Sequence, residues 1–349
     1  MSTARRPTLA DVAALAGTST AVVSYVVNDG PRTVAPGTRR RVEAAIETLG
    51  YRRNLLAGAL SAGRSNLVAL LVPDSSNAFF SELARQVEGE GNRRGLLTLL
   101  GNAGYDADAE QEYLAAFSDL RPRGVLVASI SGEHEAPVDC PRVYLHSAPA
   151  HTLDRSVVFD DAAGARAAVE HLLDHGHRRI QCVTGPSSFG PSGRREEGWR
   201  AAIDAVGATG ALYRTSFERV EAERAMLALL DSPDRPAAVF ATTDELALAT
   251  LRAAAVLGVR VPQELAIVGY DGIREALYGS VRLTTVCLPL ERLAAEAFEA
   301  LERSASRREV AQTRGPDVDR ASGSAQADAL QVVLHGTLRV GETCGCGIR

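Results

Sequence analysis

The sequence predicts a small all-α module at residues 1–64 followed by a larger α/β core at residues 65–349. Three observations carry this reading. In the first 64 residues, apolar side chains recur at helical spacing and the stretches end at Gly17 and Gly50. From Leu67 onward, short continuous apolar runs alternate with helical stretches, the pattern of parallel sheets with helices on both faces. The length of this second part suits two such units rather than one.

In the module, the first helix opens at Thr8, with Asp11 three residues on in a capping-box arrangement, and stops at Gly17. Val12, Ala13 and Ala16 form its apolar face. Ser19 is placed to cap a second helix from Thr20 to about Asn28. There Val22, Val23, Val26 and Val27 face inward, while Thr20, Ala21, Ser24 and Tyr25 face out. A third helix runs from about Thr38 to Leu49, with Val42, Ala45, Ile46 and Leu49 as its stripe and Gly50 as its stop. Two helices joined by a short Gly-containing turn and followed by a third form a helix-turn-helix plan, whose second helix enters the DNA major groove. Asn54 to Ala62 is a weaker helix candidate, since Gly58 costs about 1 kcal/mol relative to Ala.

In the core, LVALLV (67–72), LLTLL (96–100), GVLVA (124–128), RIQCV (179–183), AAVFA (237–241) and LAIVGYD (265–271) read as strands. Runs without alternation suit strands buried on both faces. Phe80–Arg94, Ala163–His175, Glu196–Val206 and Asp244–Leu257 read as intervening helices. Ser304 to Asp328 lacks an apolar period and reads as a mobile loop.

Composition fits a globular protein, with 46% hydrophobic and 23% charged residues. No apolar run is long enough for a membrane span and no secretory signal is evident, so the expectation is a cytoplasmic, nucleoid-associated protein with no membrane partner. All 38 basic residues are arginine, and the net charge of −5 is uneven. Residues 1–64 hold nine arginines against four acids, whereas the remainder is acidic. A basic head on an acidic body suggests that the head meets a polyanion. No P-loop, no Gly-x-Ser-x-Gly and no GxGxxG after a strand occurs, so no catalytic residue and no enzyme activity is expected.

The blocks TLADVAALAGTSTAVVSYVVND, TRRRVEAAIETLGYRRN, VALLVPDSSNAFFSELARQVE, VEHLLDHGHRRI, VFATTDELALATLRAA and GVRVPQELAIVGYDG, in this order, resemble the LacI (lactose repressor) family of transcriptional regulators. The resemblance covers nearly the whole chain. It implies a repressor that binds double-stranded operator DNA as a homodimer or tetramer. It also implies a periplasmic-binding-protein-like core in which two Rossmann-like lobes, joined by repeated chain crossings, close on a small-molecule effector.

Carried over position by position, the resemblance places Thr20 and Ala21 at base edges. It places Thr8, Ser19, Ser24 and Asn28 at phosphates. Tyr25 stands where arginine is common in the family, and it lacks the bidentate guanine contact. Leu60 matches a leucine that wedges into a minor-groove step. Phe79, Arg195 and Asp271 fall at effector positions, with Asp161 (beside Asp160) and Thr243 joining them. A stacking face, a donor fork and an acceptor suit a sugar, with a nucleobase or nucleoside as the alternative. No cofactor and no metal is expected. His171 and His175 have a metal-compatible spacing but read as a helix end. Cys344 and Cys346 read as incidental thiols on a frayed end, a metal or redox role being the alternative.

Overall fold

The computed structural model describes residues 7–27, 32–52, 65–128, 138–149, 152–314 and 330–346. The chain forms two compact units, Met1–Ser65 and Asn66–Arg349.

The first unit contains α1 (Leu9–Ala16), α2 (Thr20–Val27) and α3 (Pro36–Leu49). Thr8 caps α1 through a capping box: its hydroxyl accepts from the Asp11 amide at 3.3 Å, and its own amide donates to Asp11 Oδ2 at 2.7 Å. Gly17 ends the helix in the left-handed region, at φ 62°. The chain then turns so that α1 and α2 are bent by 105° from each other, within the range of helix-turn-helix units. Ser19 Oγ accepts from the Val22 amide at 3.3 Å, at the start of α2. Val12, Ala13 and Ala16 of α1, Val23 and Val26 of α2, and Val42 and Ala45 of α3 form a small closed core. Val22, expected inside, is only half-buried. Arg41 Nε donates to the Ala16 carbonyl at 3.2 Å, so a cation from α3 satisfies an open carbonyl at the end of α1.

The second unit holds two six-stranded sheets. The first has the order β11 (Gln331–Leu334), β5 (Arg155–Phe159), β4 (Arg142–His146), β3 (Val125–Val127), β1 (Leu67–Val72), β2 (Leu97–Asn102), all parallel. The second has the order β12 (Thr337–Arg339), β10 (Thr284–Cys287), β9 (Ala266–Asp271), β8 (Ala238–Ala241), β6 (Gln181–Thr184), β7 (Leu212–Arg214), parallel except for β12. Helices α4 (Ala78–Arg93), α5 (Ala107–Asp119) and α11 (Leu290–Arg314) pack on the first sheet; α6 (Asp161–Asp174) and α9 (Asp244–Val256) pack on the second. Helices α7 (Gly190–Ala205) and α8 (Arg219–Leu230) lie against α6 and α9, and α10 (Glu275–Tyr278) follows β9.

Strands β1, β3, β8 and β9 are buried almost throughout, as their unbroken apolar sequences require. β2 departs from that expectation. It is an edge strand, and Leu97 and Leu100 are exposed. The reading of Ser304 onward as a loop is corrected for its first part, because α11 continues to Arg314. The segment from Ser304 to Arg314 is rich in Ala, Arg, Glu and Gln and holds no Gly or Pro before Gly315-Pro316. Good helix formers therefore extend a helix past the end of its apolar stripe. Asn28, Leu60 and the helix candidate Asn54–Ala62 lie outside the described residues, as do residues 315–329.

Three crossings join the lobes: at Asp160 between β5 and α6, at Leu288–Pro289 between β10 and α11, and at His335–Gly336 between β11 and β12. Two of them touch. Asp160 Oδ2 lies 3.5 Å from His335 Nδ1, and the Asp160 amide donates to the Leu334 carbonyl at 2.9 Å. Among the described residues, no single helix is long and apolar enough to cross a membrane.

Candidate functional site

The first unit presents one face of α2. Thr20 and Ala21 occupy its first turn and are exposed, and Ser24 and Tyr25 are half-buried one turn on. Val23 and Val26, on the opposite side, anchor the helix to α1 and α3. The hydroxyls of Thr8 and Ser19 are engaged as caps, at the N-terminal ends of two helices where backbone amides favour anions. The arrangement offers short polar and apolar side chains on the leading turn of a helix, as major-groove readout needs.

In the second unit a cavity of about 780 Å³ opens between the two sheets. It lies where parallel strands end and helices begin, the usual ligand position in open α/β sheets. Phe79, Arg195, Thr243 and Asp271, from four separate parts of the sequence, all line it. Phe79 sits in the first turn of α4, which Asn77 caps by accepting from the Phe79 amide at 3.0 Å. Thr243 caps α9, accepting from the Leu246 amide at 3.3 Å.

Arg195 is the electrostatic centre of this cavity. It projects from α7 and is 1% exposed. Its Nε donates to Asp161 Oδ1 at 2.9 Å, and its Nη1 donates to the Thr242 carbonyl at 2.6 Å and lies 3.0 Å from Asp271 Oδ1. Its guanidinium lies 3.9 Å from the centre of the Tyr270 ring. Nη2 has no hydrogen-bond partner. Burial disfavours the guanidinium charge, but Asp271 and Asp161 overcome that, so the group is held more firmly protonated than usual.

Asp271 ends β9 at φ 115°, a strained conformation for a side-chain-bearing residue. Burial raises its pKa despite the neighbouring Arg195. Asp244, close by, is also raised by burial and by the Asp271 charge. Asp244 accepts from the amides of Gly272 and Ile273 at 2.8 and 2.9 Å and from the Thr285 hydroxyl, so it shapes the turn after β9.

Asp161 does not line the cavity, which corrects its expected place in the pocket wall. It is fully buried and binds Arg194 and Arg195 together, at 2.8 and 2.9 Å. An uncompensated carboxylate could not sit there, and the two guanidiniums supply the compensation. Its neighbour Asp160 caps α6 at a lobe crossing, accepting from the Ala163 amide at 3.0 Å.

Several lining residues escaped the sequence reading. His146 ends β4 at φ 66°, is buried, and packs on Phe79 with ring centres 4.7 Å apart. Burial, with help from Arg195 and Arg194, pushes its pKa well below the ordinary histidine value, so the ring is neutral at pH 7. Its Nδ1 has no hydrogen-bond partner. Tyr105 from the first lobe stacks on Phe217 from the second, with centres 6.4 Å apart and planes inclined by 23°. Glu245 on α9 accepts from the Ala78 amide at the start of α4, at 3.2 Å, and holds Arg219 through two contacts of 2.7 and 2.8 Å. Glu245 thus bridges the lobes. The signals for these residues were weak, since His146 follows an apolar run interrupted by arginine and Glu245 looks like an ordinary acidic first-turn residue.

A helix-turn-helix module joined in one chain to a two-lobed α/β core defines a DNA-binding transcription regulator. The lacI family of bacterial regulatory proteins matches residues 8–54, and a periplasmic binding protein-like domain matches residues 169–322. The HTH-type transcriptional regulator DegA of Bacillus subtilis is 31% identical over 310 residues, covering 86% of this chain and 91% of that protein. The HTH-type transcriptional repressor PurR of Proteus mirabilis is 35% identical over 317 residues, covering 88% and 93%. The Lac repressor dimer bound to operator and the anti-inducer ONPF shares the fold with a TM-score of 0.80, at 23% identity over 97% of this chain and 99% of that one. A CelR–cellobiose complex aligns with a TM-score of 0.65 at 28% identity, over 97% of this chain and 100% of that one. The chain belongs to the LacI family, whose members matched here are transcription regulators rather than enzymes.

Proposed function

We propose that this regulator represses transcription by binding a pseudo-palindromic operator as a homodimer, and that a neutral, polyhydroxylated effector, a sugar, binds between the lobes and changes operator affinity. In this reading residues 1–64 form the DNA-binding part, residues 65–349 sense the effector and dimerise, and the protein works in the cytoplasm on chromosomal DNA. Thr20 and Ala21 read bases; Thr8, Ser19, Ser24 and Asn28 contact the backbone; Tyr25 meets the DNA without the guanine contact of an arginine; Leu60 wedges into the minor groove. Phe79, Arg195, Thr243 and Asp271 hold the effector, with Asp161 fixing Arg195.

The observation that carries the effector reading is the pair of unpartnered buried nitrogens, Arg195 Nη2 and His146 Nδ1. Both belong to residues that line a cavity with the aromatic side chains Phe79, Phe80, Tyr105, Phe189 and Phe217. Neither atom is open to the cavity as it stands, and a buried polar atom left unpaired costs about 1–3 kcal/mol, so a shift of the lining that lets a ligand hydroxyl or carbonyl reach it is favoured. The lining acids Asp74, Glu218, Glu245 and Asp271 outnumber the lining cations Arg195 and Arg219, which disfavours phosphorylated or otherwise anionic effectors. The same aromatic walls and paired nitrogens also favour a second reading, a nucleobase held between ring faces. The CelR–cellobiose complex supports the sugar.

Calorimetry with panels of neutral mono- and disaccharides, nucleobases and sugar phosphates tests this, followed by gel shifts with the ligand found. A saccharide that binds wild type, fails on Arg195→Ala and Asp271→Ala, and alters operator affinity is the expected result. Binding confined to sugar phosphates, or an undiminished response in both variants, contradicts the proposal.

A further inference from the structure

The second lobe brings together two pairs of side chains that lie far apart in sequence, outside the cavity. His171 and His175 come from the last turn and end of α6, and Cys344 and Cys346 from the segment after β12. Their ligating atoms all lie within 4.8 Å of one another. Cys346 Sγ is 3.0 Å from His175 Nε2 and 3.5 Å from His171 Nε2. Four ligands around a tetrahedral zinc ion, at about 2.0–2.1 Å for nitrogen and 2.3 Å for sulfur, would stand about 3.3–3.8 Å apart. The four groups therefore already surround a volume of the right size.

The backbone holds them there. Residues four apart on a helix share a face, which places both imidazoles side by side, with ring centres 4.8 Å apart. Between the cysteines, Gly345 takes φ 95°, a conformation that turns the chain back on itself and that other residues resist. The segment before it is locked. The Thr343 hydroxyl donates to the Ile267 carbonyl at 2.6 Å and accepts from the Thr284 amide at 2.9 Å, and Thr343 and Cys344 are buried. This is not the frayed end expected from sequence.

We propose that His171, His175, Cys344 and Cys346 form a structural site for a zinc ion, which clasps the segment after β12 to α6. Two thiolates cancel the double positive charge, two neutral imidazoles complete the coordination, and the two thiol protons leave on binding. Mixed sulfur and nitrogen ligands in a tetrahedral set select zinc over magnesium or calcium, which take oxygen. With all four positions supplied by protein, the site is closed and structural rather than catalytic.

The test uses the full-length, tag-free protein, purified in reductant, loaded with zinc and dialysed. The expected result is about one zinc per chain by elemental analysis. With Co²⁺ in its place, intense visible ligand-field bands of a tetrahedral ion and a thiolate-to-cobalt charge-transfer band should appear. Cys346→Ser and His175→Gln should each bind little or no zinc and lose or shift these bands. Cys346 is exposed, so its variant keeps the fold, which the emission of buried Trp199 verifies. Chelation should lower the unfolding midpoint of wild type and leave that of the variants unchanged. Failure of the reduced protein to retain zinc, a cobalt spectrum without thiolate charge transfer, or undiminished uptake by both variants overturns the proposal.

Discussion

Asp160 and Asp161 are adjacent carboxylates with opposite environments, and their substitution by alanine should separate two kinds of stabilisation. Asp161 is fully buried and holds Arg195, itself 1% exposed, together with Arg194. Removing the carboxylate leaves Arg195 Nε without its acceptor in the interior. Breaking a buried pair by deleting one partner costs about 3–5 kcal/mol. Asp271 remains beside Nη1 and should keep the loss near about 3 kcal/mol. Asp160 is partly exposed and caps α6 through one bond to the Ala163 amide. Losing such a cap costs about 1 kcal/mol. The assay is urea unfolding followed by tryptophan emission. The single tryptophan, Trp199, is fully buried in α7 and donates from Nε1 to the Ile180 carbonyl at 3.1 Å, so it reports the lobe that contains both aspartates. Asp161→Ala should lose about three times as much as Asp160→Ala, at unchanged m-value. Equal losses, or a loss below about 1 kcal/mol for Asp161→Ala, would show that the pair contributes no more than a surface ion pair.

His146 is neutral in the folded protein because burial depresses its pKa, whereas in the unfolded chain it gains a proton near pH 6.5. Below that pH the unfolded state binds more protons, so this group makes stability fall as pH falls, by up to about 1.4 kcal/mol per unit. Asp271 has the opposite sign, since its raised pKa makes the folded state bind the extra proton and stability fall as pH rises above about 4. Subtracting the stability–pH curve of His146→Asn from that of wild type isolates the first effect; a flat difference between pH 5 and 6.5 would refute it. Glu245→Ala removes a charged acceptor at the start of α4, worth about 1.5–3 kcal/mol, and should open the interlobe angle in small-angle scattering. An unchanged scattering profile with unchanged effector affinity would mean that the bridge does not hold the lobes. Leu60→Ala should weaken operator binding markedly and non-specific binding little, in titrations on both DNAs, because a wedge acts only on deformed DNA. Equal losses on both would assign Leu60 to packing instead.

The parts of the fold that were legible in sequence are those whose local chemistry matches their tertiary role. The six strands read from unbroken apolar runs include the central β1, β3, β8 and β9, where burial on both faces demands such runs. β4 and β5 went unread because Arg142 and Arg155 open them, and β7, β11 and β12 because short edge strands carry little apolar pattern. The capping box at Thr8 and the stops at Gly17 and Gly50 were readable because capping is local. The cavity was half legible. Phe79, Arg195, Thr243 and Asp271 do converge, but the role of Asp161 depends on total burial, which no local pattern encodes. His146, Tyr105, Phe217 and Glu245 gain their places from lobe-to-lobe geometry. The meeting of His171 and His175 with Cys344 and Cys346 is set by the position of β12 at the sheet edge, across about half the chain.

In the proposed function, the module at residues 1–64 grips a symmetric DNA site through α2. The direct measurement is selection of binding sequences from a random DNA pool with the full-length protein, followed by anisotropy titrations of the selected duplex across a salt series. The expected product is a pseudo-palindrome bound by two chains per duplex. Log Kobs should fall linearly with log salt, at a slope of about −0.9 per phosphate neutralised, as arginines displace condensed counterions. Thr20→Ala should alter the base preference within each half-site and leave the slope in place. An asymmetric site bound by one chain, or affinity that does not change with salt, would contradict it.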